Sequence, residues 1–184
     1  MTRIVAGRFR ARRLEVPKGR DVRPTTDRMR ERLFSMLMHS RYPDMEGARV
    51  ADIFAGTGAL GLEALSRGAA HATFIEQARP SLDCIKRNIE TLGVQAETTL
   101  LPKNATALPD AKEPCDFIFM DPPYRKGLVI PTLERLLEKG WLATDGAIIC
   151  ELGSDEDITA PDGLVVLDDR TQGQQRILIL TKNA

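Results

Sequence analysis

The chain has only two histidines, His39 and His71, and three cysteines, Cys84, Cys115 and Cys150, none in a CxxC pair. That spacing encodes neither a zinc site nor a disulfide framework, so no metal and a reducing compartment are expected. No apolar run approaches the roughly 18 residues a membrane span needs, and the arginines near the N-terminus have no apolar stretch behind them. A cytoplasmic protein with no membrane partner is the expectation. Net charge is missing too, since 26 Lys and Arg balance 26 Asp and Glu. With 42% hydrophobic and 28% charged residues over 184 positions, the composition excludes disordered, collagen-like and coiled-coil classes and suits one domain with a small appendage.

The balanced total hides an asymmetry. Residues 1–32 hold eleven Lys and Arg against four acids, a net +7, which leaves −7 on the other residues. Ten of the eleven cations are arginine, whose planar fork suits phosphates, so a nucleic-acid contact surface is one reading. A merely solvated strand pair is the other. Ile4 and Ala6, then Phe9, Leu14 and Val16, flank Gly7 in an alternation that predicts short strands presenting arginines on one face.

Beyond Pro24, Thr25-Thr26-Asp27 reads as a helix N-cap with an acid in the first turn, and Met29, Leu33, Met36 and Leu37 continue at helical spacing to near His39. From Val50, short apolar runs alternate with amphipathic stretches, a βα repeat. Strands are predicted at 49–54, 72–76, 97–101, 116–120 and 146–151, and helices near 59–67, 79–92 and 128–139, with a weak helical or irregular stretch at 105–111. Two final apolar runs, 163–168 and 176–181, have no helix between them and predict an antiparallel hairpin across a turn-rich Asp-Arg-Thr-Gln-Gly-Gln segment.

Two motifs carry chemistry. Gly56-Thr57-Gly58-Ala59-Leu60-Gly61 is a literal GxGxxG between a predicted strand and helix, where glycines let the backbone approach a nucleotide-like ligand. Glu76 follows 20 residues after Gly56, placed to accept ribose hydroxyls, and to this point a nicotinamide dinucleotide fits equally well. Asp52 shifts the balance towards S-adenosylmethionine, because a carboxylate suits the cationic end of a methionine moiety better than a pyrophosphate.

The second motif, Asp121-Pro122-Pro123-Tyr124, ends the predicted fourth strand. Two prolines remove two backbone donors and stiffen the turn, so the Asp121 carboxylate and the Pro122 carbonyl form an acceptor pair. Such a pair can grip the two hydrogens of a base's exocyclic amine while Tyr124 stacks on the ring. Trp141 is expected to anchor the approach to the fifth strand, and the three cysteines to be small core residues.

The segment FAGTGALGLEALSRGA and the tetrapeptide DPPY, with the upstream RPTTDRMRERLF, resemble the RsmD family, which methylates guanine N2 in 16S ribosomal RNA. The likeness spans nearly the whole chain. It implies a class I S-adenosylmethionine-dependent methyltransferase fold, α/β and Rossmann-like, whose mostly parallel seven-stranded sheet ends in an antiparallel hairpin. Residues 1–40 would form a basic hairpin-and-helix extension and 41–184 the methyltransferase domain. S-adenosylmethionine would be the donor and S-adenosylhomocysteine the product. The partner would be 16S rRNA in an assembled or partly assembled small subunit, with the enzyme a monomer.

By the same resemblance, Asp52, Phe54, Ala55, Gly56, Thr57, Gly58 and Glu76 line the cofactor, with Asn104 and Ala105 at its adenine. The segment from Thr25 to Glu31, Thr25, Thr26 and Glu31 foremost, closes over its methionine end. Asp121, Pro122, Pro123 and Tyr124 grip the guanine amine, and Arg8, Arg10, Arg12, Arg13, Arg23 and Arg28 meet RNA. Three departures stand out: Ala11 replaces a glycine usual in the arm, Asn104-Ala105 replaces an Asp-Ala pair, and Gln172 to Gln175 differ from the usual tail. Rival readings are a DNA adenine-N6 methyltransferase, for whose target-recognition domain 184 residues leave little room, and an NAD-dependent oxidoreductase, which gives the DPPY segment no role.

Overall fold

The computed structural model describes residues 2–18, 26–38 and 41–184. A two-stranded hairpin, β1 (Thr2–Arg3) with β2 (Arg13–Leu14), leads to helix α1 (Asp27–Leu37). Then follow β3 (Arg49–Ile53), α2 (Ala59–Ser66), β4 (His71–Glu76), α3 (Arg79–Leu92), β5 (Thr98–Pro102), β6 (Cys115–Met120), α4 (Val129–Glu138), β7 (Leu142–Gly153), β8 (Leu164–Gln172) and β9 (Gln175–Lys182). Thr26 caps α1 by accepting the Met29 amide, as the Thr-Thr-Asp signal predicts; the predicted end at His39 lies outside the described residues. The irregular stretch after Lys103 is a single 3₁₀ turn, Ala105–Ala107.

The seven larger strands form one sheet in the order β5-β4-β3-β6-β7-β9-β8. Five run parallel, and β9 lies antiparallel to both β7 and β8, which is the class I methyltransferase arrangement expected from the sequence. Alternate residues of a buried parallel strand face opposite layers, and β6 shows it. Phe117 and Phe119 join a core with Phe34, Leu62, Leu65 and Phe74, whereas Ile118 and Met120 join another with Leu133, Leu136 and Trp141. Trp141 is buried and donates its indole N–H to the Pro109 carbonyl, and all three cysteines are buried thiols.

Two boundaries differ from the sequence reading. β7 begins at Leu142 rather than 146, because a bulge against Cys115 and Phe117 absorbs the polar Ala143–Asp145 stretch. The segment read as a six-residue turn continues β8 to Gln172, leaving only Gly173 and Gln174 as the bend. Strand β8 is an edge whose polar residues face solvent, and Asp169 pairs across the hairpin with Arg176 at 2.8 Å, so a polar run is stable as strand.

The hairpin arm is fastened to the domain by buried polar chemistry. The Glu63 carboxylate on α2, fully buried, accepts the backbone N–H of Val5 (2.8 Å) and Ala6 (3.0 Å) and the Arg67 Nε (2.9 Å). Ser66 Oγ donates to the Ala6 carbonyl and accepts from Phe9 N, while Ile4 and Leu14 enter the same core as Phe34. Gly7 crosses so close to α2 that a Cβ would lie 1.8 Å from the Ser66 carbonyl oxygen. Ala11 adopts a left-handed φ of 68°, which accounts for a glycine being favoured there.

Candidate active site

Strand β3 has its chain successor β4 on one side and β6 on the other, so the connections leaving β3 and β6 diverge. An open α/β sheet binds ligands at such a switch point, beyond the carboxyl ends of its strands. Register makes the two loops neighbours: Ile53 pairs with Met120, so the glycine loop and Asp121-Pro122-Pro123-Tyr124 leave the sheet side by side. Both loops line one cleft of about 600 Å³, within the range for small-molecule sites.

The glycine loop is shaped by its residues. Phe54, Gly56 and Gly58 all have positive φ, 60°, 58° and 78°. A Cβ on Gly61 would lie 2.5 Å from the Phe74 ring, so the third glycine lets α2 close on the sheet. Gly61 also donates its backbone N–H to Asp52 Oδ2 at 2.9 Å. Burial pushes the Asp52 carboxyl up to about 8 despite that bond, with Glu76 adding repulsion. Glu76 is pinned by three backbone donors, Gly56 N (3.0 Å) to Oε2 and Gln77 N and Ala78 N (2.9 Å each) to Oε1.

On the opposite wall, burial raises the Asp121 carboxyl well above its ordinary value, and the nearby Glu151 and Asp52 charges raise it further. Tyr124 donates its hydroxyl to Glu151 Oε1 at 3.0 Å, and burial beside that carboxylate raises the phenol as well. Gln175 Nε2 donates to the same Glu151 oxygen at 3.1 Å. The cleft therefore concentrates carboxylates, an environment that favours a cation and opposes a pyrophosphate.

Asp52, Phe54, Ala55, Gly56, Thr57, Glu76, Ala105 and the whole Asp121–Tyr124 segment line the cleft. Gly58, Asn104, Thr26 and Glu31 are not among its walls: Gly58 starts α2, Asn104 caps the 3₁₀ turn through Thr106 N, Thr26 caps α1, and Glu31 is exposed on it. Thr25 and Arg23 lie outside the described residues. Of the arm's arginines, Arg8 pairs with Glu97 and lies 4.6 Å from the centre of the Phe9 ring, and Arg12 donates to the Thr91 carbonyl. Arg10, Arg13 and Arg28 are exposed.

The walls also include Arg30, from the segment 25–31, and residues that sequence reasoning did not single out, Thr2, Ser81, Glu151 and Gln175 among them. Arg30 belongs to the RPTTDRMRERLF segment but follows the periodicity of a core-facing position, and its guanidinium is 1% exposed, bonded to Asp27 and the Arg3 carbonyl. Glu151 ends an apolar strand run, and its placement at a carboxyl edge was its one available signal.

Comparison with known proteins agrees with this architecture. The family model described as Conserved hypothetical protein 95 matches residues 2–181. Ribosomal RNA small subunit methyltransferase D of Escherichia coli K12 is 42% identical over 149 residues, 81% of this chain and 73% of that one. Its counterpart in Haemophilus influenzae is 35% identical over 93% of this chain and 89% of its own. The solved Escherichia coli yhhF structure superposes with a TM-score of 0.86 at 38% identity, covering 100% of this chain and 98% of that one. A ribosomal protein L11 methylase from Lactobacillus delbrueckii shares the fold alone, with a TM-score of 0.62 at 16% identity over 76% and 72% of the two chains. On a match that runs from the arm to the last strand and includes both cleft loops, the chain belongs to the RsmD family.

Proposed function

We propose that the protein transfers the methyl group of S-adenosylmethionine to the exocyclic N2 amine of a guanine in 16S ribosomal RNA. The observation that carries this reading is the single cleft walled by the glycine loop and the Asp121–Tyr124 turn. Its substrate is taken to be an assembled or partly assembled small subunit, and the enzyme a cytoplasmic monomer. The curated Escherichia coli and Haemophilus influenzae relatives, named for small-subunit ribosomal RNA, support the substrate class.

The residues fit the donor. Three backbone amides orient the Glu76 carboxylate for a ribose, and Asp52 sits where an ammonium would offset its buried charge. Arg30 offers a fixed guanidinium to a methionine carboxylate. When bound, the donor supplies an electrophilic sulfonium methyl. Asp121 and the Pro122 carbonyl then hold the two amine hydrogens, drawing the nitrogen lone pair out of ring conjugation and towards the methyl. As the N–C bond forms and the S–C bond breaks, the methylated nitrogen gives up one held proton, to Asp121 or to water. Tyr124 supplies the stacking face. Positioning of this kind can supply roughly 7–11 kcal/mol of a barrier. Incubating the protein with labelled S-adenosylmethionine and small subunits lacking the modification, then identifying the nucleoside, tests the reading: N2-methylguanosine is expected, and N6-methyladenosine would overturn it.

Two further outcomes follow. Asp52, raised from 3.8 to about 8, is protonated at pH 7, so the folded, ligand-free protein holds a proton that the unfolded chain has lost. Its contribution to stability therefore falls as pH rises from about 4 to 8. An ammonium beside Asp52 reverses the preference and expels the proton. Calorimetry at pH 7 in buffers of different ionisation enthalpy is expected to count a released proton, one fewer in Asp52→Asn; equal counts in both proteins would remove Asp52 from the donor site.

The second outcome concerns the arm. Thr2 lines the cleft and pairs with Leu14, so Arg13 lies one register step from the cleft wall, exposed as is Arg10. Arg10→Glu with Arg13→Glu is expected to weaken RNA binding and to flatten the log-affinity against log-salt slope by about 1.4–1.8, the loss of two phosphate contacts. An unchanged slope would take these arginines off the RNA path.

A further inference from the structure

Four carboxylates line the cleft, yet the reaction as proposed uses three: Asp52 and Glu76 for the donor and Asp121 for the amine. The fourth, Glu151, lies near the end of β7 and is 9% exposed. It faces the same cavity as Asp121 and Tyr124. Tyr124, in the turn after β6, and Gln175, at the start of β9, both donate to its Oε1, which fixes the carboxylate on the base-binding side. A group so buried and so held is costly to keep unless it serves the ligand.

The chemistry of base edges says what it can serve. In adenine the exocyclic amine is flanked by N1, and in cytosine by N3, each bearing a lone pair. In guanine the N2 amine is flanked on one side by N1–H, a donor. A second carboxylate beside the one that grips the amine therefore repels adenine and cytosine and accepts a hydrogen bond from guanine alone. We propose that Glu151 is the base-reading residue of this enzyme, accepting guanine N1–H while Asp121 holds N2, and that Tyr124 and Gln175 set its orientation. The inference rests on the guanine-N2 reading above and adds to it the group that enforces the choice. Its charge also accounts for part of the upward pressure on Asp121, a sign that the two carboxylates lie close together.

The discriminating probe is 2-aminopurine, which keeps the 2-amino group, replaces N1–H by a lone pair and lacks the 6-oxo group. A lost O6 contact would act alike in wild type and Glu151→Gln, so the comparison between the two proteins isolates N1–H. Once the target nucleotide is located by the labelling experiment, small-subunit RNA is prepared by ligation with guanine or 2-aminopurine at that position. Wild-type kcat/KM is expected to be about 10- to 150-fold higher for guanine, the range for a hydrogen bond to a charged group. In Glu151→Gln, guanine methylation falls by a similar factor while 2-aminopurine methylation stays within about threefold, so discrimination collapses. Tyr124→Phe, which removes the hydroxyl bond but keeps the ring, is expected to slow guanine more than 2-aminopurine, because Glu151 loses one of the two donors that orient it. Cofactor binding by each variant monitors the fold.

Equal loss on both substrates in Glu151→Gln would reduce Glu151 to a support for Tyr124 and overturn the proposal. So would a wild-type enzyme indifferent to the two bases, although guanine-N2 methylation itself would survive that result. Methylation of adenine in the labelling experiment would instead sink the underlying reading.

Discussion

Asp121→Ala is expected to lower single-turnover methyl transfer by about 10²–10³-fold or more while leaving donor affinity within a few fold, since removal of one preorganised polar partner of the reacting atoms typically costs that much in rate. The residue lies on the far wall from Glu76 and follows directly on Met120 at the end of β6, so the truncation opens no hole in the sheet. Asp121→Asn keeps one acceptor oxygen and is expected to retain more activity than alanine. Rapid-quench transfer at saturating RNA, with calorimetric donor binding beside it, separates the outcomes. Wild-type transfer in Asp121→Ala would remove the residue from the mechanism.

The largest expected effect on stability comes from a residue remote from the chemistry. Glu63→Ala leaves the Val5 and Ala6 amides without their acceptor and the Arg67 guanidinium, 10% exposed, without its counter-charge. Breaking a buried pair in this way costs about 3–5 kcal/mol. For a chain of this size each kcal/mol moves the melting temperature by about 2–4 °C, so a fall of roughly 6–20 °C is expected. Hydrogen exchange should speed first at Val5 and Ala6, ahead of the sheet, because the arm is held by these bonds. Glu63→Gln keeps an acceptor oxygen and is expected to lose less. A melting point within about 2 °C of wild type in Glu63→Ala would show that the Ser66 bonds and the packing of Ile4 and Leu14 suffice to hold the arm.

The functional consequence of that tether is geometric. Thr2 at the start of the arm and Arg30 on α1 both wall the cleft, and Arg30 donates to the Arg3 carbonyl. Loosening the arm therefore removes one side of the cleft. Glu63 also shows how a charged residue misleads a sequence reading: it falls within an apolar helix all of whose residues are buried, where a solvated acid would be the ordinary expectation.

The sequence by itself determined the βα alternation, the glycine turn, the Asp121–Tyr124 turn and the N-cap of α1, because each is specified by neighbours within a few residues: a period of two or 3.6, a positive φ, a missing amide. It misplaced the last hairpin's bend, since Asp168 to Gln172 are polar, and only the cross-strand partner Arg176 makes a strand of them. It passed over Thr2, Glu151 and Gln175, whose convergence on one cleft depends on strand order and register rather than on local pattern. Tertiary structure alone decided that Arg8 and Arg12 are engaged by the body while Arg10 and Arg13 face solvent, and that four carboxylates share one pocket. The physical reason is range: backbone conformation is set by adjacent residues, whereas burial, charge coupling and the edge a base would meet arise where strands distant in the chain end side by side.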